Sequence, residues 1–419
     1  PGSCQKANSV TDEMILADPH LSLRAEFTAY STAFASVGLL PMIHVVGPLW
    51  ALHIGASPFL IGVAVGARAL LPFIFAIHGG ALLDRLGVRR VMTFCALLSA
   101  ALTVLYPVFP FIGALILLQA ITGFLHTMGW IGAQTQISQL TRGSAKYMGR
   151  FTSVSTFSNF FTPVLAGLAW DLAGPWGAFS LLAFWNLLLW LSVSFMPVPA
   201  TVTLTKARFR LRELLPSIAD YRAALRLAVV PAIGFVVACS FMLNSLLSMR
   251  FGFLPVYMES IGFDGTIIGL MVGFAFLIGG ITALPTARIR RRFASHWVIL
   301  IVVGFTAFGL GIVPLFQDIA GLSFATIVFG AGAGLGMAFA ISLLSTVVST
   351  EQLGLSIGLR ITANRFSSFT IPIFAGAVID AFGLAAGFYA TAITIGTGLA
   401  CAALFMMRTP SIKQAYDQN

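Results

Sequence analysis

The amino-acid sequence predicts an all-α membrane protein whose twelve transmembrane helices form two pseudo-symmetric six-helix bundles. The composition, a series of long apolar segments and an internal repeat support this prediction. Of the 419 residues, 58% are hydrophobic and only 9% are charged, whereas soluble domains have about 25% charged residues. Because a soluble protein must cover its surface with polar groups, this composition indicates a surface that faces lipid.

Twelve apolar segments are each long enough to cross a bilayer as a helix, which takes about 20 residues. The short breaks between them carry turn residues, as in "GFDG" at 262–265. The predicted segments are 25–51, 58–80, 91–109, 111–138, 151–173, 177–197, 228–256, 265–286, 297–316, 320–348, 356–381 and 385–407.

Lysine and arginine are concentrated on one side of the predicted membrane. Of the 24 such residues, 21 lie in the two tails or in alternate loops, at 81–90, 141–150, 198–227, 287–296 and 349–360. The positive-inside rule therefore predicts a multi-pass protein of the plasma or inner membrane with both termini in the cytoplasm. Since the net charge of +10 follows this topology, we expect no nucleic-acid partner.

A long polar segment divides the apolar segments six and six. We predict a cytoplasmic N-terminal tail at 1–22, an N-terminal bundle at 23–197, a cytoplasmic central loop at 198–227, a C-terminal bundle at 228–407 and a cytoplasmic tail at 408–419. Within the central loop, 211–226 has the pattern of an amphipathic helix that lies on the membrane surface.

The two halves repeat each other. Two six-helix halves with an internal repeat are typical of secondary transporters, which bind substrate between the halves near the middle of the membrane. An offset of 207 residues aligns Gly55 with Gly262, Gly62 with Gly269 and Gly66 with Gly273, and an offset of 209 aligns Gly149 with Gly358, Pro163 with Pro372, Gly167 with Gly376 and Asp171 with Asp380.

The loop between the second and third segments, "GGALLDRLGVRR" at 79–90, carries a motif. Gly80, Asp84, Arg85, Gly87, Arg89 and Arg90 resemble the conserved loop of the major facilitator superfamily (MFS). With the segment count, the central loop and the repeat, the resemblance covers essentially the whole chain. It implies the MFS fold and secondary active transport by alternating access. We expect a monomer without a cofactor or a metal site.

In this family the acid of the loop motif helps to hold the halves together in the outward-open state, often with an arginine at the cytoplasmic start of the eleventh helix. By resemblance, this predicts a contact between Asp84 and Arg360. The second half has an incomplete copy of the motif at 279–292, which keeps the glycines and the basic cluster but lacks the acidic residue.

"NFFTPVLAG" at 159–167 is similar to the antiporter motif of drug exporters, although bulkier residues replace its leading glycines. Pro163 interrupts the helical hydrogen bonds and Gly167 allows close packing. Pro372 and Gly376 stand at equivalent positions, which also fits a purely structural kink. Many proton-coupled members carry an arginine four residues before a glycine of the fourth helix. Here that residue is Gln119, which weakens the transfer of their coupling mechanism.

Arg68, Arg250 and Arg365 lie within predicted membrane segments, where a charge costs at least about 2.5–3.5 kcal/mol. No acid lies at comparable depth. Arginine binds carboxylate or phosphate through two parallel hydrogen bonds, so the three residues predict an anion site. Alternatively, Arg250 reaches the outer interface, and Arg68 and Arg365 bind helix-end carbonyls or bridge the halves.

Several uncharged polar residues join this predicted substrate site. By resemblance, the first and seventh helices line the cavity, which predicts that His44 and Arg250 face each other across it. Because histidine ordinarily titrates near neutrality, His44 and His126 are the side-chain candidates for a coupling proton. A proton carried by the substrate, or anion exchange, would require neither. The remaining candidates, which equally fit interhelical hydrogen bonds, are Gln119, Gln134 and Asn244.

The sequence thus predicts a secondary active transporter of a small organic anion or an acidic amphipathic molecule. A proton-coupled exporter of lipophilic drugs is the alternative. The chain has no HExxH, GxSxG or Walker A motif and no Cys/His cluster, so we expect no enzyme activity. The expected partners are the lipid bilayer, the substrate and either a proton or an exchanged anion.

Overall fold

The computed structural model describes residues 21–75, 83, 86–141, 143–196, 226–348, 350–410 and 412. These residues form helices and contain no β-strand. The first half contains α1 (Leu23–His53), α2 (Pro58–Ile74), α3 (Val88–Val108), α4 (Ile112–Thr141) and α5 (Ala145–Ser194). The second half contains α6 (Pro231–Ser260), α7 (Gly265–Ala283), α8 (Thr286–Arg292), α9 (Ser295–Gly311), α10 (Ile319–Val347), α11 (Thr350–Phe382) and α12 (Leu384–Arg408).

Ten of the described helices are long and apolar enough to cross a membrane, and α2 is a shorter apolar helix. One of the ten, α5, has 50 residues and a break at Ala173 and Gly174, where Gly174 adopts a φ of +60° that favours glycine. Pro175 then restarts the helix. Counted as two segments, α5 completes the twelve that the sequence predicts, six in each half.

Local sequence signals start the helices that follow tight turns. Ser57 accepts a hydrogen bond from the backbone N–H of Leu60, and Pro58 occupies the first turn of α2. Asp264 caps α7 in the same way, and Asp318 caps α10. These polar caps satisfy backbone N–H groups that a helix end leaves free.

The two halves meet through two equivalent pairs of helices. Helix α2 packs on α11, and α5 packs on α7. At the first contact, a Cβ on Gly62 would lie 2.1 Å from the Pro372 carbonyl oxygen, and at the second, a Cβ on Gly269 would lie 2.1 Å from the Pro163 carbonyl oxygen. The glycines and prolines matched by the internal repeat therefore form close backbone contacts between the halves.

The ends of the molecule differ in charge. We call one end, which carries Asp171, Asp264, Asp318 and Asp380, the Asp end, and the opposite end, which carries Arg24, Arg150, Arg290 and Arg360, the Arg end. The only ion pair among the described residues joins Arg150 to Glu26 at the Arg end, with 3.5 Å between Nη1 and Oε2. The intramembrane arginines thus have no ion-pair partner within the described ranges.

Parts of the predicted loops lie outside the described residues. These include Gly80, Asp84 and Arg85 of the loop motif, all but the last residue of the predicted surface helix over 211–226, and both chain ends. The predicted contact of Asp84 with Arg360 and the predicted domain limits around the central loop therefore stay predictions.

Candidate functional site

The Arg68 side chain lies inside the first half, where three helices meet. It is 9% exposed. Its Nη1 donates to Gln119 Oε1 at 3.3 Å, and its Nη2 lies 2.8 Å from His126 Nδ1. Gly123 lies between Gln119 and His126 on α4 and packs against the Arg68 backbone. A Cβ on Gly123 would lie 2.2 Å from the Arg68 carbonyl oxygen. One face of α4 is therefore built around this arginine.

This geometry defines the protonation state of His126. A guanidinium group can only donate hydrogen bonds, so Nδ1 of His126 has to accept and carries no proton. The second ring nitrogen, Nε2, lies 2.8 Å from the hydroxyl of Ser99 on α3, to which its N–H donates. Arg68 is thus held by two neutral groups, and its positive charge is not neutralised by an acid.

Arg365 lies on α11, opposite Arg68 on α2. The helices run antiparallel, with Gly66 against Phe369 and with Phe73 against Phe366, the residue that follows Arg365. Arg365 is only partly buried and makes no hydrogen bond to another described residue. By the register of the two helices, in which Gly62 meets Pro372 and Gly66 meets Phe369, Arg68 and Arg365 lie at similar depth, one in each half.

His44 and Arg250, predicted to face each other, lie apart. His44 stacks on Phe251 of the other half, with ring centroids 4.2 Å apart. Arg250 points into the second half, where its Nη2 donates to the Thr326 hydroxyl at 2.9 Å and its guanidinium covers the Phe329 ring. Neighbouring residues of a helix point about 100° apart. Phe251 therefore faces His44, and Arg250, one residue earlier, points into its own half.

The interior of the second half is joined by a polar seam between α6 and α11. Asn244 Nδ2 donates to the Asn364 carbonyl oxygen at 2.7 Å and to Ser368 Oγ at 2.8 Å. Ser245 and Ser367 share a hydrogen bond of 2.9 Å. Asn244 therefore makes interhelical hydrogen bonds here, whereas Gln134, another predicted site residue, is half-buried on α4 and has no hydrogen-bond partner among the described residues.

Aromatic rings lie beside Arg68 and Arg365 at the interface. Phe366 of α11 lies 5.6 Å from Phe73 of α2 and 6.4 Å from Phe241 of α6, measured between ring centroids. The three rings come from both halves. Apolar surface and positive charge are therefore adjacent at the interface.

Two aspartates join the halves at the Asp end, and sequence reasoning identified them only as repeat partners. Asp171 of α5 accepts hydrogen bonds from the backbone N–H groups of Gly265 and Thr266 at 2.7 Å each, at the start of α7. Asp380 of α11 accepts from Ser57 Oγ at 3.2 Å and from the Phe59 N–H at 3.3 Å, at the start of α2. Each carboxylate thus caps a helix of the opposite half.

The Arg end has different contacts. Gly87 has a φ of +85° before α3, where glycine avoids strain. Arg89 donates to the carbonyl oxygens of Ser194 and Met196 within the first half. Arg360 is 9% exposed, and its Nε has no partner among the described residues. Arg90, also of the motif, is exposed.

Two six-helix halves with an internal repeat and glycine-lined contacts between them are the architecture of a membrane transporter. The family model of the Major Facilitator Superfamily matches residues 26–319 and 233–416. The chain belongs to this superfamily, as its loop motif predicts.

Solved structures of this superfamily share the fold. A point mutant of the nucleoside transporter NupG matches with a TM-score of 0.78 at 13% identity, over 91% of this chain and 100% of that chain. A bacterial homologue of the human lysosomal transporter Spinster, in an inward-facing and unoccupied conformation, matches with a TM-score of 0.70 at 12% identity, over 95% of this chain and 99% of that one.

Proposed function

We propose that this transporter moves a small organic anion, bound between Arg68 of the first half and Arg365 of the second. The observation that carries the proposal is that these two cations lie at similar depth on packed helices of opposite halves, with no ion-pair partner among the described residues. Two like charges in a poorly solvated interface repel each other, and an anion between them would remove that repulsion. A carboxylate, phosphate or sulfonate head fits, since guanidinium binds each through paired hydrogen bonds.

The neighbouring rings of Phe73, Phe241 and Phe366 favour an anion with an apolar body. An aromatic ring on the ligand would pack against these side chains while its head group faces the arginines. The acidic amphipathic molecules considered from the sequence combine both features. Gln119 and His126 would act indirectly, since they hold Arg68.

Alternating access is part of the same proposal. The halves are joined at the Asp end, which the distribution of lysine and arginine predicts to be outside the cell. In this arrangement the site would be reached from the Arg end, on the cytoplasmic side. Arg89, Arg90 and Arg360 would belong to the latch that closes this end in the opposite state, with Gly80, Asp84, Arg85 and Gly87. The packed pairs Pro163–Gly269 and Gly62–Pro372, with Gly167 and Gly376, would act as pivots.

The test is thermal stabilisation of the purified protein by benzoate, phenyl phosphate and benzenesulfonate, which share one ring and differ in the anionic head. A bound ligand stabilises the fold by about 2.7 kcal/mol at a hundredfold excess over Kd. We expect at least one anion to stabilise the protein and its neutral counterpart (benzamide, benzyl alcohol or benzenesulfonamide) to have no effect. Arg365→Gln should weaken binding at least about tenfold, equal to about 1.4 kcal/mol.

Arg408→Gln is the matched control, because it removes the same charge from an exposed position at the end of α12. It should bind like the wild type. Binding of all three anions that survives both Arg68→Gln and Arg365→Gln would contradict the site. Stabilisation by the lipophilic cation tetraphenylphosphonium, with none by the anions, would contradict the substrate class and favour export of lipophilic drugs.

A further inference from the structure

We infer that His126 is a proton-binding site that couples a proton to the transported anion through Arg68. The inference rests on the proposed anion site and adds the ion that moves with the substrate. It starts from the hydrogen bond of 2.8 Å between Arg68 Nη2 and His126 Nδ1. Because Nδ1 accepts this hydrogen bond, it is the ring atom that is free to take up a proton.

Protonation of Nδ1 is incompatible with the present contact. The imidazolium then presents an N–H to a guanidinium that has only donors, and two positive charges meet inside the membrane. Arg68 therefore has to turn its Nη2 away from His126, while Gln119 Oε1 still accepts from Nη1. The freed N–H groups of Arg68 become available to an anion on the Arg365 side.

A buried acceptor is available to the protonated ring. Asn186 of α5 lies close to the His126 ring. Its Nδ2 donates to the Leu182 carbonyl oxygen at 2.9 Å, whereas its buried Oδ1 accepts no well-aligned hydrogen bond from the described residues. An amide oxygen can only accept, so it is available to an N–H of the protonated ring. The polar surroundings of His126 thus contain an acceptor for each of its two states.

The charged and titratable groups around His126 come from the helices packed on α4. Helix α2 contributes Arg68, and α1 contributes His44, on which the charge of Arg68 also acts. Helix α3 contributes Ser99 and Tyr106, whose hydroxyl lies 2.9 Å from Thr122 Oγ1. From α5 the facing residue is the uncharged Asn186. No described carboxylate forms an ion pair in this region.

This arrangement sets the direction of coupling. A bound anion offsets the positive charge around His126 and makes protonation easier, and protonation frees Arg68 for the anion. Each ligand therefore favours binding of the other by the same factor. The proton and the anion should cross the membrane together, so that a pH gradient drives anion accumulation on the alkaline side.

The experiment measures proton uptake and transport with the same three anions. In weakly buffered solution near neutrality, benzenesulfonate is fully ionised, so protons taken up on its binding come from the solvent and go to the protein. We expect the wild type to take up protons on binding and to bind up to about tenfold more tightly per unit fall in pH. Proteoliposomes should accumulate the anion in the alkaline compartment.

His126→Gln is the informative variant, since the glutamine amide can accept from Arg68 and donate to Ser99 but does not titrate. It should bind and exchange anions, yet lose proton uptake and gradient-driven accumulation. His53→Gln, at an exposed position at the end of α1, is the matched control and should keep both. Anion binding with unchanged proton uptake in His126→Gln would overturn the proton site, as would loss of coupling in His53→Gln alone. Failure of every anion to bind the wild type would instead overturn the proposed substrate class.

Discussion

Single glycines set how closely the two halves approach each other. Gly62 and Gly269 occupy equivalent positions of the repeat, and each faces the carbonyl oxygen of a repeat-matched proline. Without a Cβ, the helix backbones can touch at these points, as in other tightly packed membrane helices. The positions of these glycines in the sequence therefore mark where the two halves are in contact.

We predict that Gly62→Ala and Gly269→Ala each weaken this interface. The added methyl group would lie 2.1 Å from a carbonyl oxygen, so the backbones have to separate. Such overpacking costs about 1–3 kcal/mol, which thermal unfolding of the purified variants would measure. Gly149→Ala is the control, because a Cβ there meets no atom within 4 Å. A Gly62→Ala variant as stable as the Gly149→Ala variant would contradict the predicted packing.

Parts of the site could be predicted from residue spacing, and others could not. Gln119, Gly123 and His126 are separated by four and three residues and thus share one face of α4. This spacing contained the signal for a common partner, but it did not identify Arg68. The expected pairing of His44 with Arg250 was wrong, because helix rotation brings Phe251 into that place. Side-chain direction at this precision depends on tertiary packing, which the repeat alone does not determine.

At the scale of helices, the halves are joined where a carboxylate of one half caps a helix of the other. Asp171 caps α7, and Asp380 caps α2. A carboxylate at a helix N-terminus is favourable because it satisfies free N–H groups and interacts with the helix dipole. Sequence comparison matched these aspartates, but the capped helices are more than ninety positions away along the chain. Their role therefore emerges only from the fold.

We predict that Asp171→Ala and Asp380→Ala loosen the Asp end. Loss of a cap costs about 0.5–2 kcal/mol, and this loss applies only to the state in which the halves meet there. The measurement is the distance between spin labels on cysteines placed at His53 and Glu259, one in each half at the Asp end, which should lengthen. In Asp318→Ala, the lost cap lies within α10 of the same half, so stability falls without a change in this distance. Equal distances in all three variants would contradict the cross-half role.

At the scale of the whole molecule, some helices contact the opposite half and others contact only their own half. Helix α1 packs on α6 and α7 of the other half. By contrast, α4 packs on α1, α2, α3 and α5, and α10 packs on α6, α7, α9 and α11, all within their own halves. The number of membrane segments and the repeat were predictable, since both depend on apolar periodicity. The end at which the halves meet was not, because it depends on tertiary contacts such as those of Asp171 and Asp380.

The central claim is that an anion bound between the halves changes which end of the molecule is closed. The most direct test is pulsed electron paramagnetic resonance on two spin-label pairs, with Cys4 and Cys401 replaced by serine. One pair, Gln139→Cys and Ser345→Cys, reports on the Arg end, and the other, His53→Cys and Glu259→Cys, reports on the Asp end. All four positions are exposed at the ends of helices.

With a saturating anion that stabilises the wild type, we predict a population in which the Arg-end distance is shorter and the Asp-end distance is longer. Protonation of His126 should increase this population as the pH falls, because the anion and the proton favour each other's binding. Arg365→Gln should not respond to the anion. Two distance distributions that stay unchanged with saturating anion at every pH would contradict the account.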